Sequence, residues 1–222
     1  MEGAPVEPDL TNPWNRNVWL YGLRTPFSLV FLSWITFAQA LSPVFNLEIY
    51  GYSILAALFG LIVGAHYIDI STSVEKFSPF FTVPKIAMLR VGLSFVALGF
   101  LVGVYMSLRW NILFLAFVLV ESFAAVGYPR EAPRFAHSYF SFALTWGAIP
   151  FLGSYFIQVG SLNLTILGVS VFVGISVLMM HHLAIMTRES RDWPNAIYLL
   201  LLYRYSVYSI ALLSLLGRLL SL

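Results

Sequence analysis

The chain of 222 residues contains no cysteine. Disulfides and thiolate metal sites are excluded, and cysteine usage says nothing of the redox compartment. Charge is scarce too: Asp, Glu, Lys and Arg make up 10% of the residues, against about 25% in soluble domains. The net charge is +2 and the basic residues are scattered, so no nucleic-acid surface is expected. Lysine occurs only at Lys76 and Lys85, both at one polar connection. A retinal protein needs a lysine inside its last helix for the Schiff base, so that class is excluded. What is present is apolar: 59% of residues are hydrophobic and 17% aromatic. A soluble core of this size could not take up so much apolar surface, and the composition specifies a polytopic membrane protein.

Residues 1–24 are polar and Pro-rich, with Glu2, Glu7 and Asp9. The basic start and immediate apolar run of a secretory signal are lacking. The segment reads as a cytoplasmic, interfacial tail, with Trp14, Trp19 and Tyr21 near the headgroups. Residues 25–222 read as a single transmembrane domain. A bilayer core takes about 20 apolar residues per helix. Runs of that kind at 26–44, 50–68, 84–108, 110–128, 139–158, 162–186 and 196–220 predict an all-α bundle of about seven transmembrane helices. With the amino terminus in the cytoplasm, that side holds Arg16, Arg24, Lys76, Lys85, Arg90, Arg130, Arg134, Arg188 and Arg191. The other side holds Arg109 and Arg218. The basic excess fixes the expected orientation in the cytoplasmic membrane.

Two helix ends stand out on the expected cytoplasmic side. In GLIVGAHYIDISTSVEK, residues 60–76, His66 and Asp69 are three apart and share a helix face. In MHHLAIMTRESRD, residues 180–192, His181 and His182 diverge by about 100° on a helix. At most one of them turns inward, and the stripe shared by His182 and Glu189 favours His182. Ionisable groups at the end of a membrane helix are expensive and read first as functional. Structural readings stand beside these. His66 can be a helix-end residue bonded to a carbonyl, whereas Asp69 at a carboxyl end opposes the helix dipole. The arginines can simply follow the positive-inside bias. Glu121 lies in mid-membrane, with Arg204, Tyr203 and Tyr205 as candidate partners.

From Arg24 onward the chain resembles the UbiA superfamily of intramembrane prenyltransferases, in particular its menaquinone-type branch. LRTPFSLVFLSW resembles the opening helix, and GLIVGAHYIDISTSVEK the stretch with the first aspartate-rich motif, Asn-Asp-x-x-Asp followed by a further acid. GYPREAPRF resembles the loop after the fourth helix, and WGAIPFLGSYFIQVGSLN the fifth helix and its turn. HHLAIMTRESRD stands where the second motif, Asn-Asn-x-Arg-Asp-x-x-x-Asp, is expected. The resemblance implies a helical bundle around a central cavity. Two acidic motifs at its cytoplasmic mouth would hold Mg2+ on a prenyl diphosphate, and the allylic cation would pass to an aromatic or lipid acceptor. Hard cations take carboxylate oxygens, and aromatic faces stabilise the cation.

The departures are specific. Ala65 stands for the first-motif Asn and His66 for its first Asp; Asp69 is kept, and Glu75 stands for the last acid. His181 and His182 replace both Asn of the second motif, Ala184 its Arg and Ile185 its first Asp, while Glu189 matches its last. The chain also has fewer helices than the family's nine or so. On the resemblance, Asp69 and Glu189 are the catalytic candidates. Asp69, Glu75, Glu189, Asp192, His66 and His182 are the metal candidates, and Arg130, Arg134, Arg188 and Arg191 the diphosphate contacts. The function expected first is a divergent membrane prenyltransferase acting on a quinone precursor or lipid acceptor, with Mg2+ if catalytic. The second reading is a non-catalytic relative that binds lipid, quinone or pigment as a subunit of a membrane complex. The third is a metal or haem site of His66 and His182, since imidazole suits iron, copper and zinc. The expected partners are a membrane lipid or isoprenoid and other membrane subunits. The ends of the second and sixth spans, at Asp69 and Glu189, are expected to line one cavity.

Overall fold

The computed structural model describes residues 17–23, 25–74, 82–129, 138–189 and 194–221, with the backbone alone at 25, 188, 189 and 194. Among these residues the protein is helical and has no strand. A short α1 (Val18–Gly22) precedes α2 (Thr25–Ala40). Helix α3 is continuous from Leu47 to Thr72, but its middle, Leu58–Ala65, is π-helical. Helix α4 is Lys85–Arg109. Helix α5 is a 3₁₀ turn of 3 residues, Ile112–Phe114, running into the 13-residue Leu115–Gly127. Helix α6 runs from Tyr139 to Val159 with a π-helical stretch at Leu144–Ala148. Helices α7 (Leu164–Glu189) and α8 (Pro194–Leu220) complete the bundle.

Among the described residues, six helical stretches are long and apolar enough to cross a membrane: α1 with α2, then α3, α4, α6, α7 and α8. The fourth expected span is present as α5, but it falls short of the usual length. Its start is fixed by the Asn111 side chain, which accepts from the Leu113 N–H. At its end comes Pro129, which has no N–H to continue the helical ladder. The same device opens other helices: Asn46 caps α3, Ser138 caps α6 and Asn163 caps α7. Gly160, at φ 79°, closes α6 in the left-handed region that an L side chain rarely adopts.

Small residues set the helix spacing. A Cβ on Gly99 of α4 would lie 2.6 Å from the Gly60 nitrogen of α3. One on Gly147 of α6 would lie 2.8 Å from the Gly174 Cα of α7. With lipid as solvent there is no hydrophobic drive between helices, so close backbone contact of this kind supplies the attraction. The interior between α2, α3, α6 and α7 is filled by side chains such as Phe31, Ile68, Phe151, Val173 and Met180. Leu101, Leu108, Phe172, Ile175, Leu202 and Leu213 face outward, as the side chains of a lipid-facing surface do.

Polar clips tie one end of the bundle. Gln158 Nε2 donates to Gln39 Oε1 at 2.5 Å and to the Asn46 carbonyl at 3.1 Å, while the Asn46 N–H donates to Gln158 Oε1 at 2.9 Å. Arg218, in the last turn of α8, donates to the carbonyls of Ala40 and Ser42, which lie at and just past the end of α2. Near the other end of α2, the Tyr208 hydroxyl donates to the Pro26 carbonyl at 2.9 Å. Helices α2 and α8 therefore run parallel.

Candidate functional site

The opposite end of the bundle carries the marked residues. The start of α2, the ends of α3, α5 and α7, and the start of α6 meet there around a layer of rings. His66, at 2% exposure, lies parallel to Trp146 in an offset stack, with centroids 5.3 Å apart and planes at 9°. Phe27 meets Trp146 edge-on at 5.2 Å and His66 at 5.7 Å. Phe142 continues the layer from Trp146 to His181, whose ring lies 4.3 Å away. Tyr128 packs on Phe142 at 5.7 Å. The rings of His66 on α3 and His181 on α7 are thus joined through Trp146 and Phe142, which brings the two helix ends to one place.

Both π-helical stretches serve this layer. The stretch in α3 ends immediately before His66, and the stretch in α6 contains Trp146. A π turn carries an extra residue and re-aims the side chains around it, and such turns are frequent at functional sites. Hydrogen bonds hold the surrounding backbone. The Thr72 hydroxyl donates to the Pro129 carbonyl at 2.8 Å, tying α3 to the exit of α5. The Tyr67 hydroxyl donates to the Trp19 carbonyl at 2.9 Å, tying α3 to α1.

Asp69 is half-buried in the last turn of α3, beyond this layer. Of the histidine pair, the inward ring is His181, not His182 as the stripe with Glu189 favoured. His182 is exposed and packs on Tyr139 at 4.6 Å. The two face different ways because adjacent helix residues diverge, and Phe142 offers His181 the buried surface. Glu75, Arg130, Arg134, Arg191 and Asp192 lie outside the described residues, as do the side chains of Arg188 and Glu189. Among the described residues no group of three or more His, Asp or Glu side chains is placed to hold a metal ion. At His66 the described part of this end offers a buried, ring-stacked imidazole, whereas magnesium takes hard oxygen ligands.

Sequence reasoning missed Trp146, Phe142, Tyr128 and Phe27. No local signal separates them from lipid-facing aromatics. It also offered Arg204 and two tyrosines as partners for Glu121. Both carboxylate oxygens of Glu121 are shut off from solvent and have no hydrogen-bond partner. Arg204 is on α8, which packs on α2 and α7, whereas α5 packs on α3, α4 and α6. Compared with protein-family models, curated proteins and solved structures, the chain matches none.

Proposed function

We propose that the protein is a non-catalytic relative of the UbiA-type prenyltransferases that binds a neutral prenyl lipid or quinone within the membrane. The observation that carries this reading is the parallel, offset stacking of His66 on Trp146. Where the resemblance calls for a metal-binding carboxylate, this chain has a ring in an apolar stack. A neutral imidazole brings no negative charge to offset a metal ion on a diphosphate. A ring layer backed by lipid-facing helices suits an uncharged isoprenoid better. Among the described residues, the competing reading, an active transferase, is favoured by Asp69, half-buried beside the layer.

The test uses purified full-length protein, labelled prenyl diphosphates, quinone precursors or glycerol-lipid acceptors, and added Mg2+. The expected outcome is no transfer, together with an isoprenoid lipid that stays with the protein through purification. Transfer that is abolished by Asp69→Ala would overturn the binding reading in favour of the enzyme. Purified protein free of any isoprenoid would overturn it as well.

A further inference from the structure

Between α3, α4, α5 and α6 lies a second feature, away from the ring layer. It is a cavity of about 100 Å³. Small residues make room for it, among them Gly60 of α3 and Gly99 of α4. Three phenylalanines line it: Phe100 of α4 and Phe114 and Phe117 of α5. The serines Ser122 and Ser154 and one acid, Glu121, are the polar lining relevant to recognition; no lining residue carries a positive charge.

Glu121 sets the chemistry. It lies about 15 Å along α5 from Ile112, at rises of about 2.0 Å per residue in the 3₁₀ turn and 1.5 Å in the α-helix. Residue 121 as a whole is half-buried, but its two carboxylate oxygens are inaccessible and have no hydrogen-bond partner. A carboxylate among apolar groups is costly unless it is paired. Membrane-embedded acids of this kind face cavities and mark ligand or ion paths. The remaining lining narrows the ligand. An anion would meet Glu121 with nothing to offset it. An inorganic cation would find one carboxylate where hard cations take several oxygens. An organic ammonium ion is served by both features, its charge by the carboxylate and its alkyl shell by the phenylalanine faces.

We propose that this cavity is a binding site for a small organic ammonium cation, held by Glu121 and the faces of Phe100, Phe114 and Phe117. The site does not depend on what the ring layer binds. Tetramethylammonium is the probe, because its charge does not change with pH, and tert-butanol is its uncharged counterpart of similar shape. The full chain in uncharged maltoside micelles is titrated and binding is read by saturation-transfer NMR. Tetramethylammonium should bind saturably, and tert-butanol should not displace it. Glu121→Gln should weaken binding tenfold or more. Gly60→Ala should weaken it several-fold, because the new methyl finds only the Gly99 Cα, at 3.9 Å. A measurement on the unaltered protein covers the case in which the variants fail to fold. A hydrophobic carbodiimide should label Glu121, as mapped by peptide mass, and saturating tetramethylammonium should protect it. Equal binding by Glu121→Gln, competition by tert-butanol, no saturable binding, or labelling unaffected by the cation would each overturn the proposal.

Discussion

The offset stack of His66 on Trp146 makes this end sensitive to ring shape before charge. His66→Phe keeps an aromatic ring there but adds volume at a buried site, and should cost about 1 kcal/mol, the low end of overpacking. His66→Asp installs the acid that the family resemblance calls for. It should cost more, about 2 kcal/mol or above, because the carboxyl enters a ring stack. Trp146→Ala empties the layer and should cost about 3–5 kcal/mol. Reversible unfolding in mixed micelles ranks the three, and a His66→Asp protein as stable as the original would show that the ring stack does not exclude a carboxyl. At the other end, Gln158→Leu leaves the Asn46 N–H without its acceptor and should cost about 1–3 kcal/mol by the same measurement. His66 was legible in the sequence because an ionisable residue in an apolar run is conspicuous. Trp146 was not, because a helix apolar all round gives no hint of which face turns inward. The inward turn of His181 was hidden for the same reason.

Helix contacts in this bundle depend on bare backbone at a few glycines, and the cost of adding a methyl differs sharply between them. Gly99→Ala forces a Cβ within 2.6 Å of the Gly60 nitrogen, so α3 and α4 must part. Gly168→Ala adds a methyl with nothing within 4 Å. The first should lower stability by about 1–3 kcal/mol, the range for overpacked sites. The second should be neutral or slightly stabilising, since alanine favours helix over glycine by about 0.5–1 kcal/mol. Thermal melts of the two variants in the same micelles compare them directly, and equal losses would show that the close crossing is not what holds α3 to α4. The helices themselves were legible. Run length and hydropathy placed each of them within a few residues, because the bilayer imposes one length on all spans. For α5 only the ends were not, since the apolar run takes in Trp110 and Tyr128, which lie just outside the helix. The π-helical stretches were invisible because one surplus residue in a uniformly apolar run leaves no mark in composition.

At the scale of the whole molecule, the structure groups the helix ends into two sets. The set with His66, Pro129 and His181 is the one that charge asymmetry assigns to the cytoplasm. The absence of cysteine makes a clean test possible. Ser73→Cys should react with an impermeant maleimide in inverted vesicles and not in intact cells; labelling in intact cells would reverse the orientation. The two π stretches also bear on how such a bundle changes over generations. Each holds one residue more than an α-helical turn needs, so losing one codon there restores the ordinary helix. The turns on either side keep their facing, because the surplus residue is what the wide turn absorbs. In α3 that single event would leave His66 on Trp146 and change only which residues within 58–65 turn toward the neighbouring helices. A lineage can thus gain or lose a residue inside a span without disturbing the ring layer beyond it.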